Sequence, residues 1–172
     1  MSIALEMLKE FENQAPVTRR FLERLPEDKL TWKPHEKSMT AGALAFHLAL
    51  VPAGVMHAVQ NETAQAPDFK FPEPKSKQEI LKTFDESVRT VREQLPQFDD
   101  AAMKDTWRLF SGNREVLAQA RGLFLRDVLF SHLYQHRGQL SVYLRILDVA
   151  VPASFGPSAD EPPLFMQKAT AA

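Results

Sequence analysis

The sequence predicts an all-α fold, a bundle of four long amphipathic helices around one shared core. Three observations lead to this prediction: four segments carry apolar residues at spacings of three and four, turn signals separate them, and no internal repeat or low-complexity segment is present. A chain of 172 residues is long enough to bury such a core. We therefore expect one domain over residues 1–172, with the bundle in about 2–148 and an irregular tail in 149–172.

Helix one is predicted over about residues 2–25, where apolar positions follow a helical period. Pro16 should kink this helix or begin a second piece, because proline lacks the N–H that an interior helical position needs. Pro26, followed by two acidic residues, is a stop and turn signal. The core positions of this helix are Leu8, Phe11, Ala15, Thr18, Leu22 and Leu25.

Helix two is predicted to begin at Ser38 or Thr40, both good N-caps, and to run to about Glu62 with a kink at Pro52. The stretch 41–59 is close to the length of a membrane span. It contains two histidines and a proline, and it has neither tryptophan nor tyrosine at its ends. We interpret it as a buried helix of a protein without a membrane partner.

The second half of the chain is predicted as a stiff, proline-rich loop over 65–76 and helix three over about 77–95. Residues 98–115 are ambiguous, because the turn signal at 111–113 has flanks that fit either a short hairpin or a frayed helix. Helix four is predicted over about 117–147.

Composition excludes several classes of function. The net charge is −1 and no basic block is present, so a nucleic-acid partner is not expected. The chain has no cysteine, which excludes disulfides, thiolate ligands and a cysteine nucleophile. The first ten residues are amphipathic and partly acidic, unlike a signal peptide, and we expect a cytoplasmic protein.

Two histidines, His132 and His136, stand four residues apart in the apolar segment of helix four. Four residues are about one helical turn, so both rings project from the face that should be buried. Buried ring nitrogens need partners, and neutral imidazole is the commonest metal ligand. The same face carries Leu125, Val128, Leu129, Leu140, Tyr143 and Leu147.

His47 in helix two is a third candidate ligand, because it too lies among apolar residues at helical core spacing. We hypothesise that it faces His132 and His136 and completes a three-histidine metal site. Three protein ligands with positions left open for water are typical of a catalytic metal. The donors suit zinc or nickel, while copper, iron and manganese stay open as alternatives.

The histidines also have an alternative interpretation, in which each is hydrogen-bonded within a purely structural bundle. Two known motifs do not fit. A zinc-protease motif requires glutamate where Leu133 stands, and a di-iron bundle requires glutamates where positions 44, 129 and 133 are leucine. His35, in a proline-flanked loop, and His57, on another side of helix two, are interpreted as exposed.

Polar residues near the paired histidines have both a structural and a functional interpretation. Arg137, Gln139 and Arg145 are interpreted as a solvated helix face with salt bridges. In the functional alternative, Arg137 or Gln135 orients an anionic substrate or a metal ligand. Gly138 costs about 1 kcal/mol relative to alanine inside a helix, so we expect another helix close by, within the bundle or across a dimer.

The early histidine of helix two, the sequence His-x-x-x-His-Arg-Gly-Gln at 132–139 and the sequence Tyr-Leu-Arg at 143–145 resemble the DinB (damage-inducible, YfiT-like) family. The tail at 151–161 is also similar, so the resemblance covers nearly the whole chain. It implies a four-helix bundle in an up-down-down-up arrangement, often dimeric, with a divalent metal. The metal-binding histidines of the family correspond here to His47, His132 and His136, and a kink at Pro52 could shift their geometry.

Some members of the wider superfamily are similar to thiol-dependent transferases or isomerases. The resemblance therefore implies a metal-dependent transferase or hydrolase that activates a low-molecular-weight thiol or water, acting on a small-molecule substrate as a homodimer. No general base can be assigned. We expect an apolar pocket lined by Phe46, Val51, Leu129 and Phe110. The alternative is a non-catalytic metal-binding module of a stress response.

Overall fold

The computed structural model describes residues 2–68 and 70–169, and the fold is mostly helical. The predicted loop at 65–76 therefore contains one residue, Phe69, that lies outside the described residues. The helices are α1 (Ile3–Arg24), α2 (Ala41–Ala58), α3 (Lys77–Gln94), the short α4 (Asp100–Lys104), α5 (Arg121–Leu125), α6 (Leu133–Ile146) and the short α7 (Leu164–Ala169). A π-helical stretch, Arg126–His132, joins α5 to α6, and the three together form the last long helix.

The long helices enclose one hydrophobic core. Both α3 and α6 pack against α1 and α2, so the contacts close a ring of four helices. The largest side chains buried in this core include Phe21, Leu48 and Phe84, one from each of the first three helices. The predicted helix bundle is therefore confirmed in outline, while the up-down-down-up order and the single domain stay predictions.

The all-α prediction is wrong in one respect, because a small three-stranded sheet lies beside the bundle. Its strands are β1 (Thr63–Gln65), β2 (Thr106–Ser111) and β3 (Arg114–Ala120), in the order β1-β2-β3. β1 pairs parallel to β2, and β2 pairs antiparallel to β3 through a turn where Gly112 has a φ of +60°. Of the two alternatives for 98–115, the hairpin is correct around the turn at 111–113, while Asp100–Lys104 form the short helix α4.

Helix four was predicted to begin near residue 117, and this boundary is wrong. Residues 117–120 belong to β3, where Leu117 pairs with Leu109 across the hairpin. Pairing with β2 outweighs the helical spacing of apolar residues that the sequence shows there. The last long helix therefore begins at Arg121.

The helix starts and the interior prolines show which local signals decide the backbone. Thr40 is the N-cap of α2, and its hydroxyl oxygen accepts a hydrogen bond from the N–H of Ala43. α1 continues through Pro16, so the prediction that this proline begins a second piece is wrong. α2 continues through Pro52 and ends at Ala58, a few residues earlier than expected.

One helix in the described part of the chain, α2, is long and apolar enough to cross a membrane by length and composition alone. In this fold 61% of it is buried inside the protein. Leu44, Leu48 and Met56 are almost fully buried in the shared core. The interpretation of this segment as a core helix agrees with its packing.

The tail after α6 was predicted to be irregular over 149–172, but it contains the short helix α7, and residues 170–172 lie outside the described residues. The part of the tail before α7 is held by two carboxylates, Asp160 and Glu161, which we call the carboxylate clasp. Glu161 pairs with Arg20 and Arg24 of α1 and accepts a hydrogen bond from the N–H of Ala153 at 2.9 Å. Asp160 pairs with Arg145 of α6 and accepts from the N–H of Val151 at 2.8 Å. The clasp thereby ties the tail to both terminal helices of the bundle.

Candidate metal centre

The structure brings together the three histidines that the sequence singled out. His47 projects from the second turn of α2, His132 ends the π-helical stretch, and His136 lies in the first turn of α6. The Nε2 atom of His132 lies 3.4 Å from Nε2 of His47 and 2.8 Å from Nε2 of His136. One nitrogen from each ring lies within 4.8 Å of the other two, an arrangement that could hold a metal ion.

The spacing of these nitrogens fits a divalent cation. Two imidazole nitrogens bound to one tetrahedral zinc at about 2.1 Å lie about 3.4 Å apart. The nitrogens of His47 and His132 have this separation. Those of His132 and His136 are closer, at 2.8 Å, and a small rotation of either ring would open the distance. Three converging imidazoles form a donor set typical of zinc, nickel, copper or iron.

The environment of the cluster keeps His47 and His132 neutral. Burial, followed by repulsion from His136 and His132, lowers the pKa of His47 to about 4. Burial and then the proximity of His136 also lower the pKa of His132. A neutral imidazole carries the lone pair that a metal needs, so these rings are in the metal-binding form at neutral pH.

A neighbouring side chain sets the tautomer of His136. Its Nδ1 lies 2.6 Å from Oε1 of Gln139, one turn further along α6. A carboxamide oxygen only accepts, so Nδ1 donates and the lone pair resides on Nε2, the atom that faces the other rings. Nδ1 of His132 is buried and has no hydrogen-bond partner among the described residues.

An aromatic ring from the loop before α3 covers one side of His47. The ring of Phe71 lies 5.3 Å from that of His47, edge to face, at an interplanar angle of 83°. No motif in the sequence pointed to Phe71, because the contact joins residues distant along the chain.

The pocket expected beside the cluster does not coincide with either of two surface cavities of the protein. Leu129 is buried in the core, whereas Phe46 and Val51 are only partly buried. Two surface cavities of about 370 Å³ each occupy other faces of the protein, and no histidine of the cluster lines either. The first is lined by Glu6, Lys9, Glu10, Asn13 and Gln14, and the second by residues of α1, α4, β3 and the last long helix.

The polar residues near the paired histidines differ from expectation. Arg137 is only 2% exposed, so its assignment to a solvated face is wrong. Its guanidinium donates to Thr18 and Gln14 of α1, at 3.2 and 3.0 Å. Arg145 is exposed and ion-paired, as predicted. Gln139 orients His136, whereas the functional alternative from the sequence had assigned such a role to Arg137 or Gln135.

The two remaining histidines lie outside the cluster, as expected. His35 is exposed in a turn where its Nδ1 accepts from the N–H of Lys37, and His57 is exposed on α2. Around Gly138, nothing described lies within 4 Å of the place a Cβ would take. A close helix within the bundle is therefore not the reason for this glycine, and the dimer remains a prediction.

These features define a class: a mostly helical bundle with a three-histidine group, contributed by two of its helices, that could hold a metal ion. The family model of the DinB superfamily matches residues 10–140, which is most of the chain. The chain belongs to the DinB superfamily.

Comparisons with individual proteins agree with this assignment. The chain is 27% identical over 155 residues to the protein YrdA of Bacillus subtilis strain 168, covering 90% of this chain and 89% of YrdA. A DinB-like protein from Bacillus cereus has a similar structure, with a TM-score of 0.68 at 21% identity, over 85% of this chain and 93% of that one. The DinB-like protein YjoA from Bacillus subtilis gives a TM-score of 0.64 at 20% identity, over 86% and 95%. These two likenesses show a shared fold.

Proposed function

We propose that this protein binds one divalent metal ion through His47, His132 and His136 and is a metal-dependent transferase or hydrolase. The observation that carries the proposal is the convergence of three imidazole nitrogens from α2 and the last long helix. Zinc or nickel suits these donors, with iron or manganese as alternatives. Three protein ligands leave coordination positions for a small molecule, as in catalytic sites.

A bound divalent cation would supply Lewis acidity and lower the pKa of a water or a thiol that binds to it. The chain's own residues prepare the site. Burial keeps His47 and His132 neutral, and Gln139 fixes the tautomer of His136. Because the chain contains no cysteine, a reacting thiol would come from a small molecule.

The proposal is tested by measuring the metal content of the untagged protein by elemental analysis. The comparison is a His132→Ala/His136→Ala variant, and the matched control is His35→Ala/His57→Ala, which removes two histidines outside the cluster. We expect near-stoichiometric metal in the native protein and the control, and almost none in the cluster variant. If the native protein takes up no metal after exposure to zinc, nickel and iron, the proposal is wrong and the histidines belong to a purely structural bundle.

A non-catalytic metal-binding module is the second candidate function. The observation that favours it is the position of the two described cavities, which lie away from the histidines. Spectra of the cobalt(II)-loaded protein distinguish the candidates. A change on addition of a small thiol supports a catalytic site with an accessible coordination position, whereas an unchanged spectrum supports the module. The homodimer, the small-molecule substrate and the cytoplasmic location, carried over from the family resemblance and composition, belong to the same proposal.

A further inference from the structure

Residues 71–76, which we call the strap, run across the first turns of α2 on their way to α3. The carboxylate of Glu73 accepts from the hydroxyl of Thr40, whose Oγ1 lies 2.9 and 2.8 Å from its two oxygens. The same Oγ1 accepts from the N–H of Ala43 at 3.0 Å. One hydroxyl therefore both begins the helix that carries His47 and ties the strap to that helix.

A second contact of the strap is steric. Pro74 is buried, and a Cβ added at Gly42 would lie 3.2 Å from Cγ of Pro74 and 2.8 Å from the carbonyl oxygen of Leu30. The strap can thus lie directly on the backbone of α2 only because position 42 is glycine. Pro72 and Pro74 also restrict the backbone of the strap. Phe71 consequently stands at the start of a short, stiff and anchored segment.

The anchored segment places Phe71 at the rim of the three-histidine cluster. Its ring packs against His47, yet 45% of the residue is exposed. Leu50, three residues after His47 and hence on the adjacent helix surface, is 36% exposed. On this side the rim of the candidate site is apolar, and much of the Phe71 surface is free to contact a bound molecule.

We propose that Phe71 is a specificity-determining residue, which packs against the apolar group of a small-molecule thiol whose sulfur binds at the three-histidine centre. This inference rests on the proposed function and adds to it the class of ligand, a thiol that bears an aryl or alkyl group. An aromatic ring at the rim stabilises such a thiol more than a hydrophilic thiol of similar length.

The test is a titration of the cobalt(II)-loaded full-length protein with benzyl mercaptan and with 2-mercaptoethanol, followed through the visible spectrum of the ion. The variants are Phe71→Ala, Phe71→Leu and, as the matched control, Phe165→Ala, which removes another exposed phenylalanine. We expect Phe71→Ala to weaken benzyl mercaptan binding by about three- to tenfold and to leave 2-mercaptoethanol binding unchanged. Phe71→Leu should lose less affinity for benzyl mercaptan than Phe71→Ala, and Phe165→Ala should bind both thiols as the wild-type protein does.

The outcomes separate this inference from the function on which it rests. Normal cobalt uptake with an equal loss for both thiols would show that Phe71 only positions His47, and would overturn the inference alone. Unchanged affinity for benzyl mercaptan in Phe71→Ala would also overturn the inference and leave the proposed function intact. A wild-type protein that binds cobalt but neither thiol overturns the thiol as the ligand, and one that takes up no cobalt overturns the proposed function together with the inference.

Discussion

The three-histidine cluster and the carboxylate clasp both gather ionisable side chains, but they are built in opposite ways. In the clasp, each carboxylate has an arginine and a backbone N–H as partners. In the cluster, three potential cations face one another, and their other described side-chain contacts are the neutral Gln139 and Phe71.

This difference separates groups that hold the fold together from groups that can bind a ligand. Opposite charges with satisfied hydrogen bonds stabilise the native state as they stand. Lone pairs that point at one another do not, and a shared cation would turn their repulsion into binding energy. We therefore expect changes in the clasp to affect stability alone, and changes in the cluster to act through metal.

The addition of zinc should change the stability of the protein more than the substitutions and the pH change considered next. A ligand that binds only the native state stabilises it by about 2.7 kcal/mol when its free concentration is 100 times its Kd. For a protein of this size the Tm should rise by about 5–10 °C. Differential scanning calorimetry with and without zinc measures the shift, and His132→Ala/His136→Ala should show none. An equal rise in that variant would mean that zinc binds elsewhere.

Glu161→Ala should lower the free energy of unfolding by about 1–2 kcal/mol, since it removes charge-assisted hydrogen bonds to Arg20, Arg24 and the N–H of Ala153. Urea denaturation measures the loss. Glu93→Ala, which removes an exposed carboxylate on α3, should stay within about 0.5 kcal/mol of the native protein. Metal content should not change, and a variant depleted of metal would show that clasp and cluster are coupled.

Gln139→Ala should weaken metal binding by about tenfold, because it removes the acceptor that orients His136. Competition with a chromophoric chelator gives the affinity. Gln135→Ala is the matched control, as an exposed glutamine one turn earlier on α6. Equal affinities of the two variants would contradict the orienting role of Gln139.

At low pH, protonation of Asp160 and Glu161 should remove the stabilisation that the clasp provides. Arg145 and then the N–H of Val151 lower the pKa of Asp160 below its ordinary 3.8. Burial opposes ionisation of Glu161, but the N–H of Ala153 and the charge of Arg20 outweigh it and lower its pKa below 4.5. The unfolded chain then binds more protons, so this stabilisation is present above pH 4.5 and lost as the pH falls through the lowered values.

The pH prediction is checked by urea denaturation of the native protein and Glu161→Gln between pH 7 and pH 3. The difference in stability between the two should be constant above about pH 5 and should shrink below pH 4.5. A difference that grows on acidification would have the wrong sign for a carboxylate stabilised in its charged form.

Those features of the fold that follow from local spacing could be predicted from the sequence. The helical period located α1, α2 and α3 to within a few residues, and the one-turn interval put His132 and His136 on a common face. Residues 117–120 were assigned to a helix because their partner strand, β2, is a tertiary contact that local spacing does not reveal.

The sequence predicted that the three candidate histidines converge, and it did not predict their surroundings. Arg137 follows a histidine in a motif and carries a charge, so exposure was the natural expectation, yet α1 supplies it with neutral acceptors in the interior. Gln139 could have been found, because three residues from His136 is a neighbouring position on a helix. Phe71 could not, since its position depends on the contacts of Glu73 and Pro74 with α2.

The 85-residue separation between His47 and His132 also has a consequence for the order of folding events. His132 and His136 are neighbours as soon as one turn of helix forms, so an early, loosely ordered chain already offers two ligands. The third arrives only when α2 docks against the last long helix. In refolding experiments, a metal ion should accordingly bind weakly at first and tightly at the end. The absorption spectrum of a bound cobalt(II) ion would then report when α2 docks against the last long helix.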